Sequence, residues 1–386
     1  MRRGACTPRA GWQRLVEEDG LVWHSAGGQT YWLEGAYYAL RADEITAIET
    51  ATAELYALFI RVGEALVSHR GDWLDRFGIP SFLHEPIRRS WNDEPPALNF
   101  GRFDLGFGHD GVPRLFEFNC DTPTSLLEAS VIQWRWKEAL FPQADQFNSL
   151  HEKLVEKWKN LRTALDLTYP IHFAHAVEHS GEDAVTVAYL RDTAEAAGWL
   201  TRPLIMDDIG LDARGRFVDQ EDYLIRQIFK LYPWEWMASE RYSQAILDQL
   251  DQTVWMEPIW KMLWSNKAIL ALLHTFEPDC PYLLPASLGA PTSSSYVQKP
   301  LLSREGANVT VVRDGATLAQ TGGEYGAEGY VYQEYLPLSD FGEPGAPIHP
   351  VIGSWVVDGE PAGIGIREDG LITGNVARFV PHIMEV

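Results

Sequence analysis

Four side chains in the run NFGRFDLGFGHDGVPRLFEFNCDTPTSLLEA, residues 99–129, have types that do chemistry together: Arg102, Asp104, Glu117 and Asn119. Asp110-Gly111 lies at the centre of the run and predicts a two-residue type I′ hairpin turn, whose central positions need positive φ. With that turn, Asp104 faces Glu117 and Arg102 faces Asn119, and all four share one face of the strand pair. The other face carries Phe103, Leu105, Phe107, Phe116 and Phe118, a set that belongs to a core.

Opposed like charges destabilise a strand pair. A divalent cation would neutralise them, since Mg²⁺ takes oxygen ligands from one or two carboxylates together with phosphates and water. Arg102 beside them offers a rigid fork of donors for an anion. A solvated face on which Arg102 offsets both acids fits the same residues. The loop that follows holds Asp121, Thr122, Thr124 and Ser125, all helix-capping types. They can satisfy free amides or hold an anionic group at a helix N-terminus.

The elements that must position these groups read as follows. Residues 1–35 are irregular and aromatic. A long helix runs from Asp43 to about His69, with apolar residues at three- and four-residue spacing. Pro95 and Pro96 end helical structure before the hairpin. Helices are expected over 122–142 and 147–165. The β-α-β alternation of YPIHFAHAVE, EDAVTVAYLRDTAEAAGW and TRPLIMDDIG marks an α/β lobe. EDYLIRQIFKLYPWEWM, SQAILDQLDQTVW and NKAILALLHTF read as helices. From Tyr296 onward strands dominate: YVQKPLL, VTVVR, GYVYQEYLPL, HPVIGSWVVDG, PAGIGIRE and NVARFVPHIM.

Composition narrows the function. The chain has 386 residues and is 46% hydrophobic, enough for a large core in two or three lobes or one large α/β unit. Its 15 Trp, 15 Tyr and 16 Phe are spread along the chain, which argues for a globular protein. A formal charge of −22 repels phosphate backbones and anionic lipid, so neither nucleic acid nor a membrane is an expected partner. The same charge confers solubility and attracts amines. Cys6, Cys120 and Cys280 are far apart and lack CxxC spacing, so no disulfide framework or zinc site is expected, and Cys120 reads as a small buried residue. MRRGACTPRAGW is not a signal peptide, and no stretch approaches the ~20 apolar residues of a membrane span; the expected location is cytoplasmic.

FEFNCDTPTSLLEASVIQW resembles the synthetase domain of glutathionylspermidine synthases and, still more, its stand-alone bacterial relatives. The resemblance continues in LYPWEWM, MEPIWKMLWSNKAIL, VQKPLLSREGANV, GYVYQEYLPL and GSWVVDGEPAGIGIRED, in that order, and implies a ligase domain over 8–386. It implies an α/β (α+β) ATP-grasp fold with an N-terminal helical and hairpin region. Residues 166–255 would form a pre-ATP-grasp lobe and 256–386 an ATP-binding clasp, with 1–7 as an extension. The amidase domain of bifunctional members is not expected.

What the resemblance implies for chemistry is an acyl phosphate made with ATP and displaced by an amine. Asp104, Glu117 and Asn119 match the Mg²⁺ ligands, and Arg102 the arginine at the transferring phosphoryl group, where it also meets ATP. Lys267 and Lys299 match two ATP-phosphate lysines, Gly306 the phosphate loop, and Gln333, Glu334, Tyr335 and Leu336 the adenine-binding strand. Arg367 matches a late-strand arginine near the phosphoryl group. Thr122 and Thr124 match contacts to the acid, and Glu182 and Asp183 the region that meets the amine. The DTPTS loop differs from the Ser-rich loop of glutathionylspermidine synthases, so the acid and amine themselves stay unnamed. Two other readings use the same residues: a nucleotide-binding protein without catalysis, and a hydrolase built on the carboxylate pair.

Overall fold

Apolar positions 45, 48, 55, 58, 59, 62 and 66 recur at helical spacing, and the chain folds them into a helix from Ala42 to Ser68. Asp43 and Glu44 in its first turn favour the positive end of the helix dipole. The computed structural model describes residues 1–26, 28–68, 73–178, 180–374 and 377–385. His69, the expected end of this helix, and residues 375–376 of the expected last strand lie outside them.

The buried stripe of the long helix packs on a five-stranded antiparallel sheet. Its order is Arg378–Val380, Glu360–Asp369, His349–Val357, Phe100–Phe107 and Pro113–Asn119, so the hairpin shares a sheet with strands some 240 residues downstream (about that sequence distance). Alternation sorts the side chains. Phe103, Leu105 and Phe118 face the long helix, with the Phe59 ring 5.5 Å from Phe103 and 5.1 Å from Phe118. Each such buried aromatic side chain contributes about 1.5–3 kcal/mol of hydrophobic stabilisation. On the other face Phe100 stacks on Trp355 within a second core, and Arg102 and Asp104 follow it toward a cleft.

A second antiparallel sheet runs Ala286–Leu288, Tyr330–Glu334, Tyr296–Pro300, Thr310–Arg313 and Ala316–Gln320. A third, fully parallel, runs Val254–Met256, Gln227–Leu231, Ile171–His175 and Thr201–Ile205. The helix Glu182–Ala196 joins the Ile171–His175 and Thr201–Ile205 strands in the expected β-α-β unit.

Several elements depart from expectation. Gln227–Leu231 is a strand inside the parallel sheet, where a helix was expected. A short apolar run flanked by helical sequence does not reveal its period, and burial on both faces decides it. SQAILDQLDQTVW divides into a helix, Ser243–Asp248, and the strand Val254–Met256. The irregular N-terminal stretch contains a strand, Arg2–Ala5, paired with Ala36–Leu40, which pairs in turn with His382–Met384. Among the described residues no helix is long and apolar enough to cross a membrane.

Candidate active site

The hairpin reaches its expected register by a different route. The strands stop at Phe107 and Pro113, so residues 108–112 form the loop. Of Asp110 and Gly111, only Gly111 has positive φ, at 73°, which corrects the two-residue turn. Beside the loop Leu105 pairs with Leu115 and Phe107 with Pro113. A bulge then takes up Phe116, and beyond it Asp104 faces Glu117 and Arg102 faces Asn119. The bulge turns Phe116 to the other face, a second correction. Its ring covers Gly106, where a Cβ would come within 2.2 Å of it, and it lines the cleft.

Arg102 is buried and forks onto Asp104, Nε donating to Oδ1 at 2.6 Å and Nη2 to Oδ2 at 3.1 Å. Its Nη1 donates to the Thr124 carbonyl at 2.6 Å. Gly353, opposite Asp104 in the neighbouring strand, makes room, since a Cβ there would lie 2.5 Å from Arg102 Cδ. Arg367 Nη2 also donates to Asp104 Oδ2, at 3.2 Å. Asn119 Nδ2 bridges the acids, 3.3 Å from Asp104 and 3.2 Å from Glu117. Lys267 Nζ lies 3.0 Å from Glu117 Oε2 and donates to the Ser303 carbonyl at 2.5 Å. Burial opposes ionisation of Glu117, but Lys267 and Lys299 outweigh it and hold the carboxyl at about 2. Burial first, and then the like charge of Lys267, lowers Lys299 to about 8.

Ten expected residues meet around one cavity of about 130 Å³ between the two antiparallel sheets: Asp104, Glu117, Lys267, Lys299, Gly306, Gln333, Glu334, Tyr335, Leu336 and Arg367. Apolar side chains line the same cavity: Val297, Val309, Val311, Leu338, Val351 and Ile372. Gly306 has a φ of 70° and a Cβ there would sit 2.8 Å from the Thr373 carbonyl, so the loop passes close to that segment only as glycine. The Gln333 amide is engaged at both ends, accepting from Lys299 at 2.8 Å and donating to the Leu115 carbonyl at 2.8 Å. That leaves the cavity's polar contacts on this strand to its neighbours.

Thr122 and Asn119 line a second cavity, which adjoins the first at Lys267 and Ser303. Thr124 touches the site through its carbonyl, and Glu182 and Asp183 line neither cavity. The two acids begin the helix after Gly181. Burial, then Glu128, Asp183 and Glu305, push Glu182 up to about 8; burial, then Glu178, pushes Asp183 to about 6. Glu128 is buried, accepts from Tyr31 at 2.7 Å and Trp23 at 3.2 Å, and is raised by burial.

The expected helix over 122–142 is shorter. Residues 121–125 are non-helical, Ser125 has a φ of 65°, and a π-helical turn, Glu128–Ile132, leads into Gln133–Leu140. No capping-type side chain caps that helix. Asp121 instead takes Lys230 at 2.7 Å and the Trp234 amide at 2.9 Å. Arg304 bridges Thr122 at 2.8 Å and Glu235 at 2.5 Å. Neither Lys230 nor Arg304 carries a sequence signal of its own, because each acts through a partner distant in the chain.

A family model described as "Glutathionylspermidine synthase preATP-grasp" matches residues 3–385. A provisionally named acid–amine ligase of Haemophilus influenzae is 38% identical, with 93% of this chain and 92% of that protein covered. Trypanothione synthetase of Crithidia fasciculata is 30% identical across 77% of this chain, which spans 49% of that longer protein. In structure, a glutathione synthetase-like effector of Globodera pallida superposes with a TM-score of 0.59, covering 99% of this chain and all of that one (100%), at 10% identity. That last likeness concerns the fold alone.

Proposed function

The chain belongs to the glutathionylspermidine synthase family, and on that premise we propose that it is an ATP- and Mg²⁺-dependent acid–amine ligase. It joins a carboxylate, peptide-like or glutathione-like, to a polyamine-like amine through an acyl phosphate. One observation carries the reading. A single cavity is lined both by apolar side chains, among them Val297, Val311 and Leu338, and by Lys267, Lys299 and Arg367 beside Asp104 and Glu117. That is the chemistry of a nucleoside triphosphate: an apolar base and anionic phosphates.

The two carboxylates and the Asn119 amide converge, as the bridging Asn119 contacts show, and they are donor types that fit Mg²⁺. Bound there, Mg²⁺ would shield phosphate charge. Amide oxygen and nitrogen exchange places by a flip, so Asn119 can present its oxygen. Lys267 and Lys299 neutralise phosphate oxygens. Arg102 and Arg367 both reach Asp104, so their charge lies where the phosphoryl group moves to the carboxylate. Positioning and electrostatics supply most of the rate in such a transfer. Glu182 and Asp183 hold the cationic amine near the acyl carbon. The reacting ammonium gives up one proton to become a nucleophile, attacks the acyl carbon to form the C–N bond, inorganic phosphate leaves, and the nitrogen loses a second proton to give the neutral amide.

ADP release measured with crossed acids and amines, with products weighed by mass spectrometry, tests this. The expected result is release that requires both, yields an amide and falls roughly 10²-fold in Arg367→Ala. ATP binding without acid- and amine-dependent ADP release would leave a nucleotide-binding protein without catalysis.

A further inference from the structure

The second cavity has about 340 Å³ of interior and two contrasting kinds of lining. Its polar lining includes Asn119, Thr122, Glu235, Lys267 and Arg304. Asn119 and Lys267 also touch Glu117, so the cavity opens beside the phosphoryl-transfer centre. Its apolar lining is buried Phe77, Ile79 and Leu83, from the start of the Ser81–Asp93 helix and the turn before it, together with Met262, and the exposed Phe82 ring at its surface. Arg304 is held in place by Thr122 and Glu235, and its Nε is buried without a hydrogen-bond partner. Glu117 and Glu235 pair with Lys267 and Arg304, so the donor left for an incoming carboxylate is the buried Arg304 Nε, with the Asn119 and Thr122 side chains beside it. The apolar lining gains free energy only from an apolar group.

Resting on the ligase reading, we propose that this cavity seats the acid substrate, and that it selects a carboxylic acid carrying an apolar side chain or acyl group. The carboxylate lies at Asn119, Thr122 and Arg304, within reach of the nucleotide cavity through the shared Lys267–Ser303 boundary. The apolar group fills the space against Leu83 and Met262.

Hydroxylamine trapping tests this without knowledge of the natural amine. The enzyme moves the γ-phosphoryl group of ATP to a carboxylate, releasing ADP, and hydroxylamine displaces phosphate to give a hydroxamate. The probes are glycylphenylalanine, glycylleucine and hexanoate against glycylglycine and glutathione. The apolar acids are expected to half-saturate at roughly tenfold lower concentration than glycylglycine or glutathione. Leu83→Trp, which fills the space beside the apolar lining, and Ala238→Trp, which fills the half-buried rim with less demand on folding, should erase that advantage. Both should leave binding of a non-hydrolysable ATP analogue unchanged. Hydroxamate formation that favours glutathione or glycylglycine, or an apolar preference that both variants retain, overturns the cavity assignment and leaves the ligase reading standing. Absence of hydroxamate with every acid overturns the ligase reading, and the assignment with it.

Discussion

Lys299 is buried between the hairpin and the second antiparallel sheet, and its ammonium donates to Gln333 at 2.8 Å and to the Phe116 carbonyl at 3.1 Å. Burial lowers it from 10.5 to about 8, so it is still charged at neutral pH and discharges just above. Phosphate binding needs the charge. Nucleotide affinity should therefore fall between pH 7.5 and 9, by at most about tenfold per pH unit, when titrated calorimetrically. Lys299→Met should bind weakly at both ends of that range. An affinity independent of pH in the native protein would remove Lys299 from the phosphate site. Glu182 carries the opposite sign of linkage. Its folded value, about 8, lies above the ordinary 4.5, so the folded protein binds the extra proton and stability declines as pH rises from 4.5 to 8. Glu182→Gln should flatten that decline and be the more stable protein at pH 8 to 9, measured by urea unfolding. A native protein whose stability rises across the same window would contradict the half-buried acid pair.

At the scale of elements, the buried Lys230–Asp121 pair joins the parallel sheet to the loop after the hairpin. Lys230 is fully buried and Asp121 is 1% exposed. Removing one partner strands the other charge, so Lys230→Met should cost about 3–5 kcal/mol. The double variant Lys230→Met with Asp121→Asn should cost less than the sum of the two single changes. Chemical denaturation of all four proteins measures the coupling, and additive losses would show that the pair does not bind the loop to the sheet. The same contact explains what reading the sequence left out. Asp121 looks like a cap for the helix that follows it, yet it caps the short Trp234–Met237 helix and pairs with a lysine on a strand that reads as helix. The hairpin face was legible because strand alternation is a local rule, whereas Phe116 was misplaced because a bulge leaves no mark in the alternation of its neighbours.

Over the whole molecule, the first strand and the last site strand are tied together. Arg3 forks onto Glu368 with two contacts of 2.8 Å, next in sequence to Arg367. Glu368 is buried and also takes Tyr38 at 2.8 Å and Arg378 at 2.9 Å. Arg3→Ala should lower global stability by about 1–3 kcal/mol in guanidinium unfolding, because Arg378 remains to hold part of the charge. A loss below a few tenths of a kcal/mol would mean that the N-terminal strand is not part of the cooperative unit. The overall layout, two antiparallel sheets enclosing a cavity with a parallel sheet alongside, brings residues from Asp104 to Arg367 to one place.

Residue type and short-range periodicity were enough to identify the charged face of the hairpin, the long helix and the strand-rich C-terminal part, whereas the groups expected to meet a nucleotide came from the resemblance to the glutathionylspermidine synthase family. The first three follow from steric and hydrophobic rules that act within about ten residues. Which helical-looking runs become strands, where the bulge at Phe116 falls, and how Lys230, Arg304 and Glu128 are partnered were decided only by tertiary packing. Burial on both faces turns Gln227–Leu231 into a strand, and desolvation makes a distant charge worth pairing. The second cavity, lined by both polar and apolar side chains, exists only once residues 77–83, 119–122, 235–239, 262–267 and 302–304 are packed together.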